Sequence, residues 1–159
     1  MKLIKNLTFT HLVLMATLGS ILVLGGAFIF QAFGFAPCKL CLWQRWPHAA
    51  AIAIGAATLS TQKRLLAWFG AAAAATTSAL GFYHSGVERK LWEGPSTCTS
   101  SGLTGELDPA DLLNQIMAAP LVRCDEIPWE MFGVTMANLN ALGSAVLAII
   151  WILAARKAA

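Results

Sequence analysis

Residues 9–30, FTHLVLMATLGSILVLGGAFIF, run for 22 positions without a formal charge. Rising about 1.5 Å per residue, a helix of that length crosses the roughly 30 Å hydrocarbon core of a bilayer. Three more stretches read alike. Residues 42–60 are interrupted only by Gln44, Arg45 and His48 near their start, and residues 65–82 and 137–155 are uncharged. The whole chain is 57% hydrophobic and 12% charged, against roughly 25% charged in an ordinary soluble domain. It lacks the polar surface to cover itself in water, so four spanning helices are expected. A net charge of +3 without a Lys/Arg cluster gives no footing for nucleic acid.

Charge placement orients the helices. All eight acidic residues lie between Glu88 and Glu130, whereas Lys2, Lys5, Lys63, Arg64, Arg156 and Lys157 mark the two ends and the middle loop. Basic loops stay in the cytoplasm. Residues 31–41 and 83–136 then belong on the far side, the second with Arg89, Lys90 and Arg123 against its eight acids. Lys2 and Lys5 before an apolar run imitate a secretory signal, but the run exceeds the usual h-region of about 7–15 residues. It reads as an uncleaved first helix in a single integral membrane domain covering residues 1–159.

A loop as long as 83–136 is usually functional or disordered. Within it Asp108 suits a helix N-cap, Pro109 the first helical position and Asp111 the positive helix end. Leu107 and Leu112 suit a hydrophobic staple. Leu112, Leu113, Ile116 and Met117 share one face, which suits a short amphipathic helix on the membrane surface or packed on the loop. Trp43, Trp46, Trp92, Trp129 and Trp151 fall near predicted span ends or in this loop, as interfacial anchors do. Ala71–Ala75, Gly19, Gly25 and Gly26 supply small surfaces for close helix approach.

The four cysteines divide into Cys38-Lys39-Leu40-Cys41 and the separated Cys98 and Cys124. A Cys-x-x-Cys pair is a redox disulfide, half of a metal site, or two buried thiols. Cys98 and Cys124 offer no second close pair for zinc, so no metal is expected, and both pairs lie on the side where disulfides persist. Cys41 falls at the predicted start of the second helix, where free N–H groups and the helix dipole stabilise a thiolate. Arg45 and His48 follow at helical spacing on its face. An arginine near a span is a functional candidate, with snorkelling to the interface as the alternative. Pro47 should kink this helix or weaken its first turns. His84, just past the third stretch, is either a cofactor contact or a polar anchor; His11 carries no functional signal.

Pro37-Cys38-x-Leu40-Cys41-x-x-Gln44-Arg45 before a span, Tyr83-His84 after the third, and two more cysteines in a long outer loop resemble the DsbB family. These are bacterial inner-membrane oxidoreductases that reoxidise the periplasmic thiol oxidase DsbA and pass electrons to quinone. The resemblance spans the chain, with Lys39 between the cysteines and Pro47 as departures from the family's pattern. It implies an all-α membrane protein, a four-transmembrane-helix bundle with a long periplasmic loop, both termini cytoplasmic and both cysteine pairs periplasmic. It further implies that Cys98 forms a mixed disulfide with a DsbA-like thioredoxin-fold partner, while Cys124 restores the loop pair and communicates with Cys38. Cys41 would face ubiquinone or menaquinone, with Arg45 and His84 beside the ring. The DsbA–DsbB–quinone route is the accepted account of how the periplasm stays oxidising. DsbA-type oxidants stand at about −120 mV, more oxidising than glutathione pools at roughly −180 to −210 mV, so a stronger acceptor is required. A vitamin K epoxide reductase-like enzyme shares four helices and a Cys-x-x-Cys, but should carry its pair on the last helix. The remaining alternatives are a non-catalytic membrane protein with structural disulfides and a metal transporter.

Overall fold

A computed structural model describes residues 7–95, 98 and 122–157. Each apolar stretch lies inside one helix: α1 (Phe9–Ala32), α2 (Lys39–Thr61), α3 (Arg64–Glu88) and α4 (Met136–Arg156). Among the described residues α1, α3 and α4 are long and apolar enough to cross a membrane. The 23-residue α2 is of similar length but carries Lys39, Gln44, Arg45 and His48. Consecutive helices pack on each other and α4 closes the ring against α1. Gln62 and Lys63 alone separate α2 from α3, so tight a link that those two run antiparallel, as in an up-down bundle.

α2 and α3 overrun their apolar stretches at the end of the bundle where α2 begins and α3 ends. α3 continues through Glu88, so Tyr83 and His84 stand on its last turns rather than past it. α2 begins at Lys39, which makes Cys38 its N-cap and moves Cys41 into the first turn. Pro47 removes one backbone donor, yet α2 continues through it to Thr61. A short ladder lies between α3 and α4. Glu130–Met131 (β1) pairs antiparallel with Val134–Thr135 (β2), joined by Phe132 and Gly133 at φ 51° and 79°. Two successive positive φ values are the mark of a type I′ hairpin turn, and two-residue strands are too short to leave an alternating pattern. Thr135 then caps α4, forming a reciprocal capping box with Asn138. The expected helix over Asp108–Met117 lies outside the described residues.

Burial is inverted relative to a soluble bundle. Leu18, Leu22, Ile29, Leu65, Phe69, Leu142, Val146 and Ile149 are exposed, whereas Thr17, Ser20, Gln44, His48, Thr58, Thr77 and Ser144 are buried. An exterior so apolar is stable only against another apolar phase. Most of these buried polar side chains bond one another or the backbone: the Thr77 hydroxyl donates to the Gln44 carbonyl at 3.1 Å and the Ser78 hydroxyl to the Ala141 carbonyl at 2.9 Å. At the other end of the bundle the exposed Arg64 guanidinium caps α4 through the Ala155 carbonyl at 2.9 Å.

With little hydrophobic driving force inside lipid, close van der Waals contact has to hold the helices together. Trp151, expected at the interface, is instead fully buried, because Gly70 on α3 leaves room for its indole. At Gly81 a Cβ would stand 2.9 Å from the Ala141 backbone nitrogen and 3.0 Å from its Cα. Backbone cannot move aside as a side chain can. Gly81→Val should therefore separate α3 from α4 and destabilise the bundle by about 1–3 kcal/mol, seen as a lower melting temperature in detergent. Gly143→Ala, whose Cβ would meet nothing within 4 Å, should leave it unchanged or raise it.

Candidate functional site

The N-terminus of α2 and the C-terminal end of α3 meet at one end of the bundle. There Cys38, Leu40, Val87, Cys98 and Cys124 form one buried cluster, with Cys41 and Val122 packed against it. Both cysteine pairs, far apart in sequence, thus share one apolar nest. Cys98 and Cys124 are joined in a disulfide with a Cα–Cα distance of 5.3 Å. The Cys124 N–H donates to the Cys98 carbonyl at 2.9 Å, and the Cys98 N–H to the Pro95 carbonyl at 2.7 Å. Beyond Cys124, Arg123 grips Asp125 at 2.6 and 3.0 Å and holds its carboxyl below the usual range.

Cys38 and Cys41 are free thiols with their sulfurs 2.7 Å apart. The capping position explains the approach: the Cys38 sulfur accepts the Cys41 N–H at 3.2 Å, folding the first turn back over the cap. Hydrogen bonding to Cys41 and burial push the Cys38 thiol up, outweighing the opposite pull of that N–H. Cys38 is buried and Cys41 half-buried, so Cys41 is the more accessible member.

His84 touches this pair. Its Nε2 lies 3.5 Å from the Cys38 sulfur and 3.9 Å from a Glu88 carboxylate oxygen one turn on. Glu88 is itself buried and accepts the Thr135 hydroxyl at 2.6 Å. The tautomer of His84 follows from its other side. Gln44 Nε2 donates to the Leu40 carbonyl at 3.1 Å, which fixes the amide, and the same nitrogen is 2.9 Å from His84 Nδ1. Nδ1 must accept, so in the neutral ring the proton sits on Nε2, facing Cys38. The two sulfurs and a His84 ring nitrogen lie within 4.8 Å of one another. That is also a donor set of the kind zinc takes.

Cys41 opens onto a cavity of about 260 Å³, lined by Leu22, Val23, Leu24, Phe30, Phe35 and Leu139 and by the polar Gln44, Arg45, His48, His84, Glu88 and Asn140. Arg45 reaches across to α1: Nη1 donates to Gln31 at 2.7 Å, Nη2 to the Ala27 carbonyl at 3.3 Å, and the guanidinium lies 4.9 Å from the Phe28 ring centroid. These contacts tether it to α1 beside the cavity. Its buried Nε and the buried Nδ1 of His48 have no hydrogen-bond partner among the described residues. A smaller cavity of about 120 Å³, between Cys38, Cys41, His84 and the Val122–Pro128 segment, lies on the loop side of the pair. The Cys38–Cys41 pair therefore separates a loop-side pocket from a bundle-side one.

All the residues expected at the site, Cys38, Cys41, Cys98, Cys124, Arg45 and His84, converge here. Residue types alone did not single out Gln44, Glu88, Thr135 and Asn140. The available signal was Asn140 within an otherwise apolar span, since polar side chains at such depth are functional candidates by default.

The class that this geometry defines is a helical membrane protein built around two neighbouring cysteine pairs, one oxidised and one reduced. The profile of the family described as "Disulfide bond formation protein DsbB" matches residues 9–154. The chain belongs to that family, and so to the membrane disulfide oxidoreductases that form disulfide bonds. Neither a curated protein nor a solved structure matches it.

Proposed function

We propose that this chain spans the bacterial inner membrane four times and uses Cys98–Cys124 to reoxidise a periplasmic DsbA-like protein, sending the electrons through Cys38–Cys41 to a membrane quinone. The observation that carries this reading is the single cluster holding all four cysteines, with Cys41 on the wall of an apolar cavity that opens among the helices. α2 counts as the fourth span because its polar residues face partners within the bundle: Gln44 and His48 are buried. Its outward side from residue 49 on is largely alanine and isoleucine.

Each thiol–disulfide exchange conserves electrons, and only the last step needs an outside acceptor. A partner thiolate attacks the Cys98–Cys124 bond at Cys98; a second partner thiol then displaces Cys98, leaving the partner oxidised and the loop pair reduced. That loop pair next reduces a Cys38–Cys41 disulfide by the same two-step exchange, begun by Cys124 attacking Cys38. When Cys38 and Cys41 re-form their bond they release two electrons and two protons. A bound quinone supplies the two-electron acceptor. The cavity fits such a group: its walls are mostly apolar, while Arg45 Nε is a buried donor left without a partner among the described residues. Arg45 would hold developing negative charge, at strength in so dry a setting. His84, whose Nε2 lies 3.5 Å from the Cys38 sulfur, would steady a thiolate there during exchange.

Three measurements test this reading. Alkaline phosphatase fused after Trp92 should be active and fused after Lys63 inactive; the reverse would place the cysteines in the cytoplasm and end the argument. Cys98→Ala should abolish oxidation of the partner while the Cys38–Cys41 dithiol still reduces added quinone; partner oxidation at a normal rate would defeat the relay. Arg45→Met should raise the apparent KM for quinone and slow turnover, together on the order of tenfold or more, the value of a hydrogen bond to a charged group. Arg45→Lys should recover part of this, since it keeps charge but not the planar fork. Unchanged kinetics in the methionine variant would reduce Arg45 to a strut between α1 and α2.

A further inference from the structure

His48 has no counterpart in the motif Pro37-Cys38-x-Leu40-Cys41-x-x-Gln44-Arg45, and its ring nitrogens are unequally used. Its Nε2 lies 2.9 Å from Asn140 Oδ1 and 3.3 Å from the Ser144 hydroxyl. Which end of the Asn140 amide faces His48 is settled from the other side. Asn140 Nδ2 points at three acceptors: Gln44 Oε1 at 2.5 Å, the Thr77 backbone carbonyl at 3.3 Å, and the Thr77 hydroxyl oxygen at 3.2 Å. That hydroxyl has committed its own proton to the Gln44 carbonyl at 3.1 Å. Gln44 in turn cannot rotate its amide, because Nε2 is held by the Leu40 carbonyl. Asn140 Oδ1 is therefore an acceptor, already taking the Ser144 hydroxyl at 3.2 Å, and His48 Nε2 is a donor.

A neutral imidazole with its proton on Nε2 has a lone pair on Nδ1. Here that lone pair belongs to a side chain only 2% exposed, on the cavity wall, with no partner among the described residues. A buried acceptor of this kind calls for a donor. Quinones have only acceptor oxygens; quinols carry hydroxyl donors. We infer that His48 Nδ1 accepts a hydrogen bond from a hydroxyl of the reduced, quinol form of the ligand, so that the site holds quinol more tightly than its other contacts would. The inference rests on the cavity being the quinone site. Its consequence is directional: stabilising the quinol relative to the quinone favours electron flow out of Cys38–Cys41. Asn140, Gln44 and Thr77 act as positioning residues by setting the tautomer of His48.

Binding measurements separate this from a structural role. Purified, quinone-depleted protein is titrated with decylubiquinone and with decylubiquinol under anaerobic conditions, for the native chain, His48→Phe and His48→Gln. Retention of the Cys98–Cys124 disulfide and of the melting temperature serves as the folding control. The inference expects His48→Phe to weaken decylubiquinol about five- to tenfold and to leave decylubiquinone within about twofold. His48→Gln keeps an amide N–H for Asn140 and an oxygen acceptor, and should restore much of the quinol affinity even if the phenylalanine variant folds poorly. Equal weakening of both forms, or no change in either, makes His48 a structural residue. Loss confined to decylubiquinone means that an imidazolium donates instead. Both results overturn the inference while leaving the quinone reading in place. A native protein that binds neither form overturns the two together.

Discussion

The hydrogen bond that the Gln44 amide makes to the Leu40 carbonyl is the interaction on which the arrangement of the site depends. It occupies one amide proton, so the rest of Gln44 has to be used laterally: Nε2 toward His84 on α3 and Oε1 toward Asn140 on α4. One side chain thereby ties three helices at the level of the cysteine pair. In lipid an unmatched polar group has no water to fall back on, so each partner is committed in turn. Donor and acceptor roles propagate from backbone carbonyls, which cannot reverse theirs, to His48 and His84.

Close packing makes this possible. Polar side chains as short as asparagine and threonine bridge helices only where backbones approach, and the approach is set by glycine and alanine. Gly81 against the Ala141 backbone brings α3 to α4 right beside Asn140 and one turn from Ser144. Gly55 on α2 leaves space for Thr17 on α1. The greasy exterior and the polar interior are two aspects of one solution: lipid takes the leucines and isoleucines, and the narrow interior takes the groups that lipid refuses.

The cysteine pairs occupy the edge of this bundle, where α2 begins and α3 ends. A helix N-terminus offers free N–H groups, which is why Cys38 can act as a cap and draw Cys41 toward it. The loop disulfide packs on the same apolar cluster, so the two pairs lie side by side although they are far apart in sequence. On its other side Cys41 meets the cavity among the helices. Loop chemistry and bundle chemistry thus share one residue.

Apolar runs of spanning length, the segregation of every acid into one loop, and the Cys-x-x-Cys ahead of Arg45 are local properties, and the sequence by itself determined them. They were enough for the class and for the helices, because hydropathy and cysteine spacing act over a few turns. Tertiary structure alone decided the rest. Phe82 ends an apolar stretch, but α3 continues to Glu88 because Ser85, Glu88, Thr135 and Asn138 hydrogen-bond across to the cap of α4. Trp151 is a core residue only because Gly70 faces it on another helix. Gln44, Asn140 and His48, which stand 92 and 96 positions apart in their cross-helix bonds, become one donor–acceptor chain only when α2 and α4 pack. Such pairings depend on which faces meet, and no spacing along the chain records that.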